Sequence, residues 1–178
     1  MPGSVFRRGE TVELRTIEEA DAEFLRDLIN EPRVRAGIAN RTPMNLADER
    51  EWVDSLGGDD EANFLVCVDG DAVGTIGLRR RHEPSWGVWG VGYMLVPDAW
   101  GNGYATDALR ETAAYAFDER RAAKLFATVY KTNPASARVL EKAGFVEEGV
   151  LRGEAFVDGE RVDIVRYGLP ADEWEDRP

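Results

Sequence analysis

At 178 residues, 43% of them hydrophobic, the chain is long enough for one domain with a substantial core and too apolar to be disordered. Its 34 acidic residues against 22 basic ones give a formal net charge of −12, which argues against a dedicated nucleic-acid binder, since phosphate contacts need a basic surface. No apolar run approaches the length that crosses a bilayer, and no apolar segment follows Arg7 and Arg8, so neither a membrane span nor a signal peptide is expected.

The lone cysteine, Cys67, sits in an apolar run and reads as a core thiol of a cytoplasmic protein. Three lysines among many Asp and Glu fit a high-salt cytoplasm, or simply an acidic surface.

Val12 to Arg15 is a short predicted strand, and Thr16 with Glu19 forms a capping-box pattern that opens a helix. Ala20, Phe24, Leu25 and Leu28 give that helix its apolar face, and Pro32 ends it. Asn30 to Pro43 is irregular in pattern, with Arg33, Arg35 and Arg41 read as solvated loop arginines; a second helix is expected from about Leu46 to Leu56. These early helices could wall a substrate cleft.

Phe64 to Val68 and Ala72 to Leu78 are predicted strands joined through Asp69-Gly70, a strong hairpin signal. His82, the only histidine, falls in the charged run after them and reads as a solvated hairpin tip. Trp86 to Val96 is the next strand, with glycines at 87, 90 and 92 that suggest a bulge or close backbone approach by another group.

That strand runs into Gly101-Asn102-Gly103 and a helix whose small or apolar positions recur at Ala105, Ala108, Leu109, Thr112, Ala113, Ala116 and Phe117. Glycines before a helix N-terminus leave its first amides open, and with the helix dipole they make an anion site that needs no net positive charge. The loop is neither a Walker loop, having no Gly-Lys-Ser/Thr, nor a good dinucleotide fingerprint, since Thr106 stands where the third glycine belongs.

Lys124 to Tyr130 is a further strand. Asn133-Pro134-Ala135-Ser136 opens a helix through Ala137 to Ala143, with Gly144 as its C-cap. Val150 to Val157 and Arg161 to Leu169, joined at Asp158-Gly159, form a last hairpin. With no repeat or linker, residues 1–178 are expected to make a single α/β domain.

Two elements together are specific. The loop at 100–105 and the helix from Asn133 to Phe145, ending Glu141-Lys142-Ala143-Gly144-Phe145, resemble the acetyl-CoA signature of the GNAT acetyltransferase superfamily. The chain is most similar to the branch of ribosomal-protein N-terminal alanine acetyltransferases, from Leu14-Arg15 through Gly92-Tyr93 and Trp100-Gly101 to Glu148-Gly149, Asp163 and Tyr167. The resemblance implies a GNAT-type acyl-CoA N-acyltransferase fold: a mixed central sheet flanked by helices, with a splayed strand pair for the pantetheine arm.

It further implies acetyl-CoA as cosubstrate, with no metal. Met94, Leu95 and Val96 would lie along the pantetheine; Trp100, Gly101, Asn102, Gly103, Tyr104, Ala105 and Thr106 would surround the pyrophosphate; Asn133 would bond the arm. Ser136 would protonate the departing thiolate, and a backbone N–H near Met94 would face the oxyanion. Direct attack by the amine needs no enzyme nucleophile, so Cys67 has no catalytic role.

Many relatives carry a carboxylate base where this chain has Gly90; Glu154, Asp163 and Tyr130 are the substitutes, or an amine can enter neutral through water. The expected acceptor is the N-terminal amine of a protein or peptide. A small amine (amino acid, aminoglycoside or polyamine), a CoA-binding module with little activity, and a nucleotide binder are the competing readings. A homodimer is an assembly the sequence leaves open.

Overall fold

The computed structural model describes residues 2–38, 40–80 and 83–174, so His82 lies outside the described residues. In chain order the elements are β1 (Val5–Arg8), β2 (Glu13–Arg15), α1 (Ala22–Asn30), α2 (Pro32–Ile38), α3 (Leu46–Asp54), β3 (Glu61–Val68), β4 (Asp71–Arg80), β5 (Val88–Leu95), α4 (Tyr104–Asp118), β6 (Lys124–Tyr130), α5 (Pro134–Lys142), β7 (Val146–Val157) and β8 (Glu160–Pro170). Among the described residues the strands form one mixed sheet in the order β1-β2-β3-β4-β5-β6-β8-β7, in which only β5 and β6 pair in parallel.

Side-chain alternation along the strands sorts the core into two layers. Phe64 and Val66 of β3, Ile76 and Leu78 of β4, and Trp89 of β5 meet Ala108, Leu109, Ala113 and Ala116 of α4. Leu65 and Cys67, pointing the other way, meet Leu25 of α1 and half-buried Trp52 and Val53 of α3. Small residues on α4 let that helix lie close to the sheet. Leu109 is fully buried, so Leu109→Ala is expected to cost about 2–5 kcal/mol.

The N-terminal boundaries differ from the sequence expectation. The reciprocal cap before α1 is formed by Glu18 and Asp21, where the Glu18 amide donates to Asp21 at 2.9 Å, and Thr16 instead donates its hydroxyl to Glu18. A single 3-10 turn, Glu19–Asp21, shifts the start of the helix. α1 stops at Asn30, with Glu31 as its C-cap just before Pro32, as expected; but Pro32 also opens α2 inside the segment expected to be irregular, because a proline at the first helical position sacrifices no hydrogen bond. Asn45 caps α3 by accepting from the amides of Ala47 and Asp48.

The turn between β1 and β2 is tied to α4. Asp107, in the first turn of that helix, accepts from the amides of Glu10, Thr11 and Val12 and from the Thr11 hydroxyl at 2.6–3.1 Å. Burial pushes this carboxyl up, but the four hydrogen bonds outweigh it and hold it below the usual range. Gly9 is required by that approach, since a Cβ there would stand 2.5 Å from Asp107 Oδ1.

Candidate active site

The parallel pairing of β5 with β6 stops after Val88–Lys124, Trp89–Leu125 and Gly90–Phe126. Beyond it β5 stays paired with β4 as far as Leu95, and β6 with β8 as far as Tyr130, so the two strands part into a notch. Backbone groups on its walls lack a strand partner, and an extended ligand carrying amides can supply one. This is the splayed pair that the resemblance implied.

The register decides which groups face the notch. The Val96 amide donates to Val73 O at 2.9 Å, and the unbroken antiparallel register makes Thr75–Met94 and Gly77–Gly92 hydrogen-bonded pairs as well. The Met94 N–H is therefore turned toward β4, and the amides of Tyr93 and Leu95 face the notch. The amides near Met94 that could face an oxyanion are thus those of its neighbours Tyr93 and Leu95, and the Met94 side chain lines the cleft.

A cleft of about 1390 Å³ runs along the notch and past both of its ends. At one end lie Trp100, Gly101, Gly103, Tyr104, Ala105 and Thr106, with Arg138 and Lys142 of α5. Gly101 and Gly103 have φ of 80° and 84°, and a Cβ on either would meet nothing within 4 Å, so the space over the loop is open. Gly103 caps α4 without a side-chain hydrogen bond, leaving the first-turn amides for an anion. The one acidic side chain of that turn, Asp107, is engaged with the β1–β2 turn.

Trp100 is half exposed, with its indole N–H donating to Leu95 O at 2.8 Å. That bond pins the loop to the end of β5. Leu95 lines the cleft, whereas Val96 and Asn102, both expected at the cofactor, do not. Val96 turns its amide to β4, and Asn102 folds its side chain back to Trp100 O at 3.3 Å.

Midway, α5 begins against the notch. Asn133 caps it by accepting from the Ser136 amide at 3.2 Å, which commits the amide oxygen and leaves the Nδ2 end directed toward Gly37 of α2. The Ser136 hydroxyl lies 2.9 Å from the Tyr93 hydroxyl, which also donates to Ser136 O at 3.1 Å. Burial pushes the Tyr93 hydroxyl up to about 12, although its bond with Ser136 pulls the other way, so it stays protonated and holds Ser136 in place. The sequence placed Tyr93 within a family motif without giving it this role; only the alternation of β5 turns its ring toward α5.

At the far end, Gly77, Gly90 and Gly92 form a glycine floor, with the Asn63 side chain over Gly77 and open space over Gly92, bordered by Arg79, Thr128 and Arg166, with Arg33 of α2 and Glu61 of β3 nearby. Of the substitute bases, Tyr130 lines the cleft and its hydroxyl reaches Ile38 O at 3.5 Å. Glu154 is exposed on β7 and Asp163 is held by the Gly153 amide and Lys131; neither lines the cleft. The hairpin carries them outside it. Cys67 is fully buried and burial pushes its thiol up to about 11, in keeping with a core residue.

The model of the acetyltransferase (GNAT) domain matches residues 11–146. Over 174 residues the chain is 30% identical to the Bacillus subtilis protein named "Putative ribosomal N-acetyltransferase YdaF", covering 93% of this chain and 94% of that one. Among solved structures, spermidine N-acetyltransferase from Vibrio cholerae, in complex with CoA and spermine, superposes with a TM-score of 0.85 at 22% identity, over 92% and 98% of the two chains. Mycobacterium smegmatis RimJ in complex with CoA-disulfide superposes with a TM-score of 0.82 at 24% identity, over 93% and 84%. Open helix amides beside a parted strand pair, over a family match of this extent, place the chain in the GNAT family of acetyl-CoA-dependent N-acetyltransferases.

Proposed function

We propose that the enzyme acetylates the N-terminal amine of a protein or peptide by direct attack on acetyl-CoA, within a single domain spanning residues 1–178. The observation that carries the reading is the notch between β5 and β6, which leads from the open start of α4 past Ser136 to a glycine-floored cleft. The pyrophosphate would rest on the loop at 101–106, the pantetheine amides on Tyr93 and Leu95, and Asn133 Nδ2 on the arm. Arg138 and Lys142 add positive charge along this part of the cleft.

In the reaction the neutral amine nitrogen attacks the thioester carbonyl carbon, and a notch-facing amide beside Met94 stabilises the oxyanion. The carbon–sulfur bond then breaks and the thiolate takes a proton from Ser136 or a water it holds, giving the amide and free CoA. The proton lost by the amine passes to water in the cleft, near Tyr130, since Gly90 carries no acceptor.

A peptide acceptor is supported by likeness to the ribosomal relative over nearly the full chain. Arginines at the acceptor end count against a polyamine, and a small acidic or zwitterionic amine is the second reading they favour. Among the described residues no helix is long and apolar enough to span a membrane. Edge strand β7, with Val146, Val150 and Leu151 exposed, is where a homodimer would form. The test is a panel of peptides and small amines assayed for CoA release; tight acetyl-CoA binding with no acceptor-dependent release would leave only a CoA-binding module.

A further inference from the structure

Beside the acceptor end a second cavity of about 290 Å³ opens between α2 and the tip of the β7–β8 hairpin. It is bounded by Arg35, Asn40, Arg41 and Asp158, and shares Ala36, Val157 and Asp158 with the main cleft, so the two adjoin. Arg33 is paired with Glu31 at 2.8 Å and Arg41 with Asp158 at 3.6 Å. Among the described residues the Arg35 side chain has no carboxylate and no hydrogen bond, and its Nε and the Asn40 Nδ2 are both buried without a partner. A partly buried guanidinium with no counterion is costly, and leaving it so beside an empty space implies a visiting anion. The Asp158 carboxylate opposes this only weakly, since it is 85% exposed and already faces Arg41. Arg79 of the main cleft is likewise exposed and without an ion-pair partner among the described residues.

We infer that the acceptor is an amine carrying a side-chain carboxylate, and that this carboxylate docks in the cavity beneath Arg35 while the amine reaches Ser136. The inference rests on the acetyl-transfer reading above and names its substrate class. The carboxylate can come from an acidic side chain just behind a peptide N-terminus, or from a free amino dicarboxylic acid. A guanidinium with a neighbouring amide offers the donors that a carboxylate accepts.

The test measures CoA release with peptides differing only in Glu or Gln at the second and third positions, with free glutamate and glutamine, and with spermidine. Acidic acceptors should exceed their neutral partners in kcat/KM by about tenfold or more, and the better of the peptide or free-acid arms identifies the source. Arg35→Gln should bring the acid-to-neutral ratio close to one, and Arg35→Lys should restore part of it. Asn40→Asp, which adds a negative charge to the cavity, should lower the same ratio and stands in if Arg35→Gln proves misfolded by thermal melting. Acceptor-dependent release with no preference for acid, or an unchanged ratio in these variants, overturns the inference and leaves acetyl transfer intact. No acceptor-dependent release from any member overturns both.

Discussion

At the end of the cleft where we propose that the pyrophosphate rests, the open groups are backbone amides of residues 101–106, set by positive φ at Gly101 and Gly103 and by the start of α4. At the end where we propose that the acceptor enters, they are side chains, Arg33 and Arg35 from α2, Arg79 from β4 and Arg166 from β8, brought together from distant parts of the chain, with Arg33 and Arg166 already paired with Glu31 and Glu148. The first end presents a fixed donor array suited to one unvarying cosubstrate. The second presents charges on long, adaptable stems, the material from which specificity for an acceptor is made.

The difference can be broken most sharply at the glycines. Gly103→Asp forces a side chain into a left-handed conformation and puts a negative charge where the pyrophosphate would lie. Its acetyl-CoA Kd should rise by about a hundredfold or more, measured by calorimetry with folding checked by circular dichroism; unchanged affinity would displace the phosphate from this loop. At the junction of the two ends, Ser136→Ala should lower kcat by about a hundredfold if the hydroxyl protonates the thiolate, with acetyl-CoA affinity nearly unchanged. Equal rates would leave Ser136 as part of the α5 cap alone.

Tyr93→Phe removes the hydroxyl that holds Ser136 and should lower kcat by roughly tenfold, the worth of one hydrogen bond. Because burial keeps this phenol protonated up to about 12, the kcat–pH profile should keep its shape in the variant. A lost alkaline limb would instead make Tyr93 a proton donor in its own right.

The smallest effect belongs to the support behind the phosphate end. The folded-state pKa of Asp107 is depressed, so its contribution to stability is present above the ordinary carboxylate value and is lost as pH falls through the folded one. Denaturation across pH should show that loss below about pH 4, and Asp107→Asn, less stable at neutral pH, should show less of it. An identical acid profile in the two proteins would mean that other carboxylates set it.

Local rules were enough where the site is local. The loop at 101–103, the helix after it and the Asn133 cap each lie within a few residues and follow from glycine, spacing and capping preferences, so these elements were legible in order along the chain. The exceptions there, Val96 and Asn102, depend on which way a backbone amide or a side chain turns, and that is set by β4 and Trp100. Reading Asn30 to Pro43 as irregular hid α2, because seven residues with a glycine inside carry too little periodicity to announce a helix.

The sequence by itself determined the order of elements, the anion-ready start of α4 and the family, because those are properties of short stretches. Tertiary structure alone decided that β5 and β6 part after Gly90, that Tyr93 meets Ser136, and that Glu154 lies outside the cleft while, among the described residues, Arg35 is left without a counterion beside it. Each of these is a relation between residues far apart in the chain. It is fixed by strand register and by the packing of helices on the sheet, which no local pattern encodes.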